Sequence, residues 1–291
     1  MSDLTPEQSL AMDFIGEQSN LVTREVNTDK WRDNVRANRP HFIQGNPDLT
    51  GLSVYIVAAG PSLEKNVHHL KSISERGMIL CVDASLRFLL RMGVRPEYCM
   101  MIDGSDKMLK MVEGCDTSGI TLICTPSACP GVVAAWKGPR FFVTTPFLNS
   151  EKKFNAHHLT RVVKAKKDLK AGDLLFLDEE YEVEFGGVVA TITCGGNVST
   201  AAHHFALQFL KAQNVIFVGL DLSWTYESHH YAGSAHLENV RDRTGTYGAQ
   251  TGGMVHLDQE GKEVFTNLSL LGFKRWHEQM AKAFLGSAVN A

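Results

Sequence analysis

Four clusters of residues in this sequence combine types that carry chemistry. The first is Gly60-Pro61-Ser62, directly after the apolar run Val54-Tyr55-Ile56-Val57-Ala58. Glycine lets a backbone approach a ligand closely, and proline at a first helical position gives up no needed N–H. Ser62 and the free amides of a helix start would then suit a phosphate. The same residues also make an ordinary strand-to-helix turn. They match neither Gly-x-Gly-x-x-Gly nor the Lys-Ser/Thr phosphate loop.

The second cluster is a set of carboxylates, each placed after an apolar run. Asp83 follows Cys81-Val82, where a ribose-binding acid commonly stands. Asp103 and Asp106 follow Met101-Ile102, and their oxygens could hold Mg²⁺. Asp83 and Asp106 also read as helix caps. Asp103, tight behind a buried run, is harder to explain that way.

The third cluster is Gly195-Gly196-Asn197-Val198-Ser199-Thr200, a small-residue helix entrance suited to an anion or a base. The fourth begins with Gly219-Leu220-Asp221 at the end of another apolar run. The loop that follows carries Tyr226, His229, His230, Tyr231 and His236. Histidine titrates near neutrality and suits general acid or base work. The spacing matches no familiar zinc pattern. The paired histidines His68-His69, His157-His158 and His203-His204 are given no role.

These clusters need elements to hold them. Strands are expected at Val54–Ala58, Met78–Val82, Tyr98–Ile102, Thr121–Cys124, Phe141–Thr144 and Val215–Leu220. Their runs are continuously apolar, as in strands covered on both faces. Helices are expected at Leu63–Glu75, Ala84–Met92, Val198–Ala212 and Leu268–Phe284, the last with Leu271, Trp276, Met280 and Phe284 inward. Strand–helix alternation predicts an α/β fold with a doubly wound, mostly parallel sheet. In such sheets ligands bind beyond the carboxyl ends of the strands, where all four clusters fall.

Residues 1–50 read as a helical N-terminal arm with a capping box at Thr5-Pro6-Glu7-Gln8 and a second helix carrying Trp31 and Val35. Residues 51–291 then form the main domain. Within it, 146–190 breaks the rhythm, opening basic and turning acidic at Asp178-Glu179-Glu180. This stretch is either a solvated insertion or a lid over an anionic substrate. The final residues Ala288-Val289-Asn290-Ala291 make an abrupt close, so a further segment is expected in longer relatives.

Composition is that of a globular protein, 44% hydrophobic and 21% charged, with a formal net charge of -3. That balance gives no general attraction for nucleic acid. No apolar run is long enough to span a membrane, and the start lacks a secretory pattern, so the cytoplasm is expected. Six scattered cysteines without a Cys-x-x-Cys pair read as small buried apolar side chains.

In order and content, these motifs resemble the MptE-like domain family. The resemblance rests on Ile56-Val57-Ala58-Ala59-Gly60-Pro61-Ser62-Leu63, Val82-Asp83-Ala84-Ser85 and Gly93-Val94-Arg95-Pro96-Glu97 through Asp103. It continues with Gly195-Gly196-Asn197-Val198, Ile216 to Leu222, His230 and Gly233. Leu220 stands where bacterial members commonly have glutamine. The family is named for an archaeal 6-hydroxymethylpterin diphosphokinase and includes the core of motility-associated factor (Maf) proteins, which act in flagellin glycosylation. Maf cores are in turn similar to bacterial sialyltransferases that use a CMP-activated sugar.

The resemblance implies a Rossmann-like transferase with a nucleotide-activated donor, a CMP-sugar first and ATP as the alternative. It implies glycosyl transfer, of the sialyl or nonulosonic type, to a glycan or protein acceptor. ATP-dependent pyrophosphoryl transfer to a pterin, with Mg²⁺ on Asp103 and Asp106, and a noncatalytic nucleotide-binding module are the alternatives. Donor-side residues would be Gly60, Pro61, Ser62, Asp83, Asn197 and Ser199, with Asp103, Gly195, Gly196 and Asp221 beside them. His230 would be the general base, His236 the second candidate, and Tyr226 and Tyr231 would steady a departing phosphate.

Overall fold

A computed structural model describes residues 26–27, 29–31, 33–38, 53–73, 77–143, 192–224, 254–258, 261–283 and 287–290. In chain order the elements are helix α1 (within 26–38), β1 (Ser53–Val57), α2 (Leu63–Asn66), β2 (Gly77–Val82), α3 (Asp83–Arg91), β3 (Tyr98–Met101), α4 (Leu109–Val112), β4 (Thr121–Cys124) and α5 (Pro130–Ala135). There follow β5 (Arg140–Phe142), α6 (Val198–Gln208), β6 (Asn214–Val218), β7 (Met254–Leu257), β8 (Glu263–Thr266), α7 (Leu268–Ala283) and β9 (Ser287–Asn290).

Seven strands form one sheet in the order β5-β4-β3-β2-β1-β6-β9, every neighbouring pair parallel. The chain builds outward from β1 to β5, then returns to place β6 on the other side of β1. The order therefore reverses between β1 and β6, and a crevice opens at such a switch point.

Both faces of the sheet are covered, which explains the continuous apolar runs. Val57, Ile79, Cys81, Cys99 and Met101 point to one side, against Leu86 and Leu89 of α3 and Val132 and Val133 of α5. Val54, Ile56, Leu80, Met100 and Phe217 point to the other, against Ala201, Ala202, Phe205 and Ala206 of α6. Full burial of a side chain such as Ile56 or Leu80 contributes roughly 1.5–3 kcal/mol. The alanines let α6 lie close to the sheet. All six cysteines are free, four of them buried in this core.

Three differences from the sequence expectation stand out. The helix expected over Leu63–Glu75 is α-helical only to Asn66 and continues as a 3₁₀ turn, Val67–Ser72. β7 and β8 form a separate antiparallel hairpin that the strand–helix rhythm did not announce. Ser287–Asn290, where no strand was expected, pairs in parallel with β6. The 146–190 insertion and the first helix of the arm lie outside the described residues.

The described part of the arm, α1, is seated on the ends of β3 and β4. Asn34 and Asn38, four apart, share one helix face. The Asn34 Nδ2 donates to the carbonyls of Gly104 (3.0 Å) and Ser127 (2.9 Å). The Asn38 Nδ2 donates to those of Pro126 and Ala128, both at 2.8 Å. Val35 is buried between them. Helix α1 thereby covers the loops that follow β3 and β4 at the strand-end edge.

Candidate functional site at the strand-end edge

Sheet order sets the sequence of groups along this edge: Asp221 after β6, Gly60 to Ser62 after β1, Asp83 after β2 and Asp103 after β3. The start of α6 faces the same edge, because a helix returning to a parallel strand runs against it.

At the switch point the two loops grip each other. The Asp221 carboxylate accepts the backbone N–H of Ser62 at 2.7 Å and also its hydroxyl. The Gly60 amide donates to the carbonyl of Gly219 at 2.8 Å. A Cβ on Gly60 would lie 2.6 Å from both the Asp221 Cγ and the Gly219 oxygen, so this position admits no side chain. Gly219 and Leu222 have φ of 72° and 49°. Leu222 is a non-glycine residue in the left-handed region, the kind of strain that concentrates where structure is over-determined. The expectation that Ser62 offers free donors to a phosphate is therefore corrected: an internal carboxylate already holds both.

Asp83 is the first residue of α3 rather than its cap. It is 7% exposed, and one carboxylate oxygen accepts the Ala84 amide at 2.7 Å. Burial pushes its carboxyl up to about 7; the Ala84 N–H pulls the other way, and the charge of Asp103 adds to the rise. A carboxyl that titrates near neutrality can exchange protons at working pH.

Asp103 is exposed and accepts the Ser105 amide at 2.7 Å. Ser105, not Asp106, caps the short turn that follows. Asp106 pairs with Lys30 of α1 at 2.8 Å. Among the described residues no three His, Cys, Asp or Glu side chains gather as metal ligands, and Lys30 competes with any cation for Asp106.

At the α6 entrance, Asn197 caps the helix, its Oδ1 accepting the Thr200 amide and the Ser199 hydroxyl, both at 2.9 Å. The Thr200 hydroxyl accepts the Gly195 amide at 2.8 Å. The two glycines are explained by packing from α7. A Cβ on Gly195 would lie 2.5 Å from the Trp276 ring, and one on Gly196, whose φ is 112°, would lie 2.7 Å from Phe273. Val198 and Ser199 open the first turn of α6, where backbone N–H groups have no carbonyl of their own helix to receive them.

Sequence reasoning missed a histidine cluster behind this entrance. His203 and His204 are buried, and so is His277 of α7. His277 Nε2 lies 3.2 Å from the Ser199 hydroxyl, and its Nδ1 lies 3.0 Å from His203 Nδ1. Burial drives His203 down to about 3 and both His204 and His277 to about 4. On α7 the buried position is His277, whereas Leu271, Trp276 and Met280 are only half-buried. The four proposed catalytic residues, Tyr226, His230, Tyr231 and His236, lie outside the described residues. The loop's start is nevertheless anchored, since Trp224 pairs with Phe265 of β8 through two backbone hydrogen bonds, 2.8 and 2.7 Å.

A family model described as 6-hydroxymethylpterin diphosphokinase MptE-like matches residues 30–227, well over half of the chain. The chain belongs to the MptE-like family. The match begins within α1, so the family pattern includes the second helix of the arm. It ends before β7, β8, α7 and β9. No protein of curated function matches the sequence. Among solved structures, a Maf glycosyltransferase from Magnetospirillum magneticum AMB-1 shares the fold, with a TM-score of 0.58 at 15% identity. The alignment covers 90% of this chain but 36% of that one, so this MptE-like chain spans little over a third of its neighbour's length. Among the described residues no helix is long and apolar enough to cross a membrane.

Proposed function

We propose that this MptE-like chain is a transferase that takes a nucleotide-activated donor, a sugar nucleotide such as a CMP-sugar, and transfers the sugar to a glycan or protein hydroxyl. The observation carrying this reading is the convergence of the β1–β6 switch point and the α6 entrance on one strand-end edge, in a fold shared with a Maf glycosyltransferase. Since Asp221 holds the donors of Ser62, the donor phosphate belongs at the first turn of α6. There the Val198 and Ser199 amides and the helix dipole favour an anion. Gly60, Pro61 and Asp221 shape the floor, and Asp83 takes the ribose side.

Catalysis follows from stabilising the leaving nucleotide and activating the acceptor. First-turn amides aimed at the phosphate stabilise the negative charge that grows as the glycosidic bond breaks. His230 removes the acceptor proton, with His236 as the second candidate and Tyr226 and Tyr231 on the departing phosphate. Their loop starts at the pinned Trp224, directly beyond Asp221.

A second reading, pyrophosphoryl transfer to a pterin alcohol, is favoured by the family's description and by the electrostatic contact between Asp83 and Asp103. That chemistry relies on Mg²⁺ to neutralise phosphate charge, and Asp106 would first have to leave Lys30. Sugar transfer makes no such demand on these residues.

Thermal-shift measurements with CMP, CDP, UDP, GDP and ATP, each with and without Mg²⁺, test the choice. Stabilisation by CMP without metal is expected. Selective stabilisation by Mg-ATP would overturn sugar transfer in favour of the second reading, and no response to any nucleotide would overturn both.

A further inference from the structure

The hydrogen bonds around His277 fix the direction of every donor in the cluster. The Asn197 atom that accepts the Thr200 amide must be the carbonyl oxygen, because a backbone N–H can only donate. The Ser199 hydroxyl bonds to that same oxygen, so Ser199 donates to it. Having spent its single hydrogen, Ser199 can only accept from His277 Nε2. His277 therefore carries its proton on Nε2. A neutral imidazole has one N–H, so His277 Nδ1 is bare and accepts from His203 Nδ1. His203 is then left with a bare Nε2, and that atom has no hydrogen-bond partner among the described residues. The imidazoles are neutral, as their deep burial dictates, and a single assignment satisfies all the contacts.

The result is a one-way chain: His203 Nδ1–H to His277, His277 Nε2–H to Ser199, and Ser199 O–H to Asn197. It ends on the residue that caps α6, beside the first-turn amides. His203 lies against Phe217 and Trp276 with ring centroids 4.9 and 6.0 Å away, so the imidazoles have little room to turn. The chain crosses from α6 to α7, an element beyond the family match.

The geometry points to His277 as a positioning residue of the α6 entrance: it holds the Ser199 hydroxyl on Asn197, fixes the cap and its amides for a donor phosphate, and makes α7 part of the site. This rests on the donor reading above, so its test needs one readout that does not depend on a nucleotide.

The nucleotide-independent readout is ¹⁵N NMR of the imidazoles. His277 is expected as the Nε2–H tautomer and His203 as Nδ1–H; the reverse pattern in either ring overturns the chain whatever the protein binds. The second readout is calorimetric titration with CMP and, separately, Mg-ATP. His277→Leu is expected to weaken the bound probe about tenfold, the scale of one hydrogen bond. His277→Gln, whose amide can still donate to Ser199, is expected to recover most of that loss. Ser199→Ala should weaken binding to a similar degree, and adding His277→Leu to it should weaken binding no further, although it still lowers stability. Additive losses, or a His277→Leu chain that binds as tightly as the parent, overturn the positioning role. If the parent binds neither probe, the donor reading and the positioning role fall together, while the tautomers still report on the hydrogen-bond chain.

Discussion

The Asp221 carboxylate, at the end of β6, holds both the amide and the hydroxyl of Ser62, at the end of β1. The two residues are 159 positions apart, and the contact ties together the strands on either side of the switch point. A glycine-bearing turn after a first strand invites comparison with phosphate loops. Here an internal anion takes the donors such loops offer, which is why the proposal above puts the donor phosphate at α6 instead.

Removing that anion should loosen the edge. Asp221→Ala leaves the part-buried Ser62 donors without a partner and is expected to cost about 1–3 kcal/mol in urea denaturation. Asp221→Asn, which keeps one acceptor oxygen, should cost less. Gly60→Ala forces a methyl against the Asp221 carboxylate and the Gly219 carbonyl, and is expected to destabilise by about 1–3 kcal/mol. A Gly60→Ala chain as stable as the parent would show that the loops separate freely, contrary to the close approach described.

Much of this edge was legible in the sequence because strand ends announce themselves. Asp83, Asp103 and Asp221 each follow a fully apolar run, and a doubly wound sheet must bring such ends together. What pairs with what was not legible. Ser62 and Asp221 meet only because β6 returns beside β1, and no local pattern records that return. His277 was hidden for a related reason: Leu271, Trp276 and Met280 mark an apolar face on α7, and a histidine beside them reads as solvent-facing until α6 supplies His203 and Ser199. The glycines at 195 and 196 were legible as necessary, but their cause, the rings of Trp276 and Phe273, lay about eighty residues away (on the order of a whole domain half, well beyond any local window).

The alkaline side of the stability profile should belong in part to Asp83. Its folded pKa, about 7, is raised above the ordinary 3.8, so the folded state binds the proton more tightly than the unfolded chain. The stabilisation is complete below pH 3.8 and is lost as pH rises through about 7. Asp83→Asn, which mimics the neutral acid, should remove this loss and gain on the parent as pH rises from 5 to 8, by on the order of a few kcal/mol. Denaturation curves across that range check it, and parallel profiles for parent and variant would count against a shifted carboxyl.

The acidic side should belong to the histidine cluster. His203, His204 and His277 have folded values of about 3, 4 and 4, depressed below the ordinary 6.5, so here the unfolded chain binds protons more tightly. Their contribution is complete above pH 6.5 and is lost as pH falls through the folded values. The α6–α7 contact is expected to open first, read as a rise in Trp276 fluorescence change or in hydrogen exchange on α7 between pH 6 and pH 4. His277→Gln should blunt the acid sensitivity of that contact. Unchanged sensitivity would assign it to groups elsewhere.

The last prediction concerns α1. Each of Asn34 and Asn38 bridges two backbone carbonyls from the loops that end β3 and β4. Asn38 is fully buried, so Asn38→Leu removes two donors at once and leaves the Pro126 and Ala128 carbonyls unpaired. A cost of about 1–3 kcal/mol is expected, together with faster hydrogen exchange throughout α1 and in the 125–129 loop. Asn34→Ala should act on the neighbouring turn, because its partner Gly104 directly follows Asp103, and a Cβ on Gly104 has no space between Ser127 and Asn34. Releasing that turn moves the Asp103 charge relative to Asp83, so the Asp83 titration, followed by carboxyl ¹³C NMR, should shift in Asn34→Ala and stay put in Arg36→Ala, whose side chain pairs with Asp33 one helical turn away. An Asp83 titration indifferent to Asn34 would make α1 a passive cover rather than a wall that sets the electrostatics of the edge.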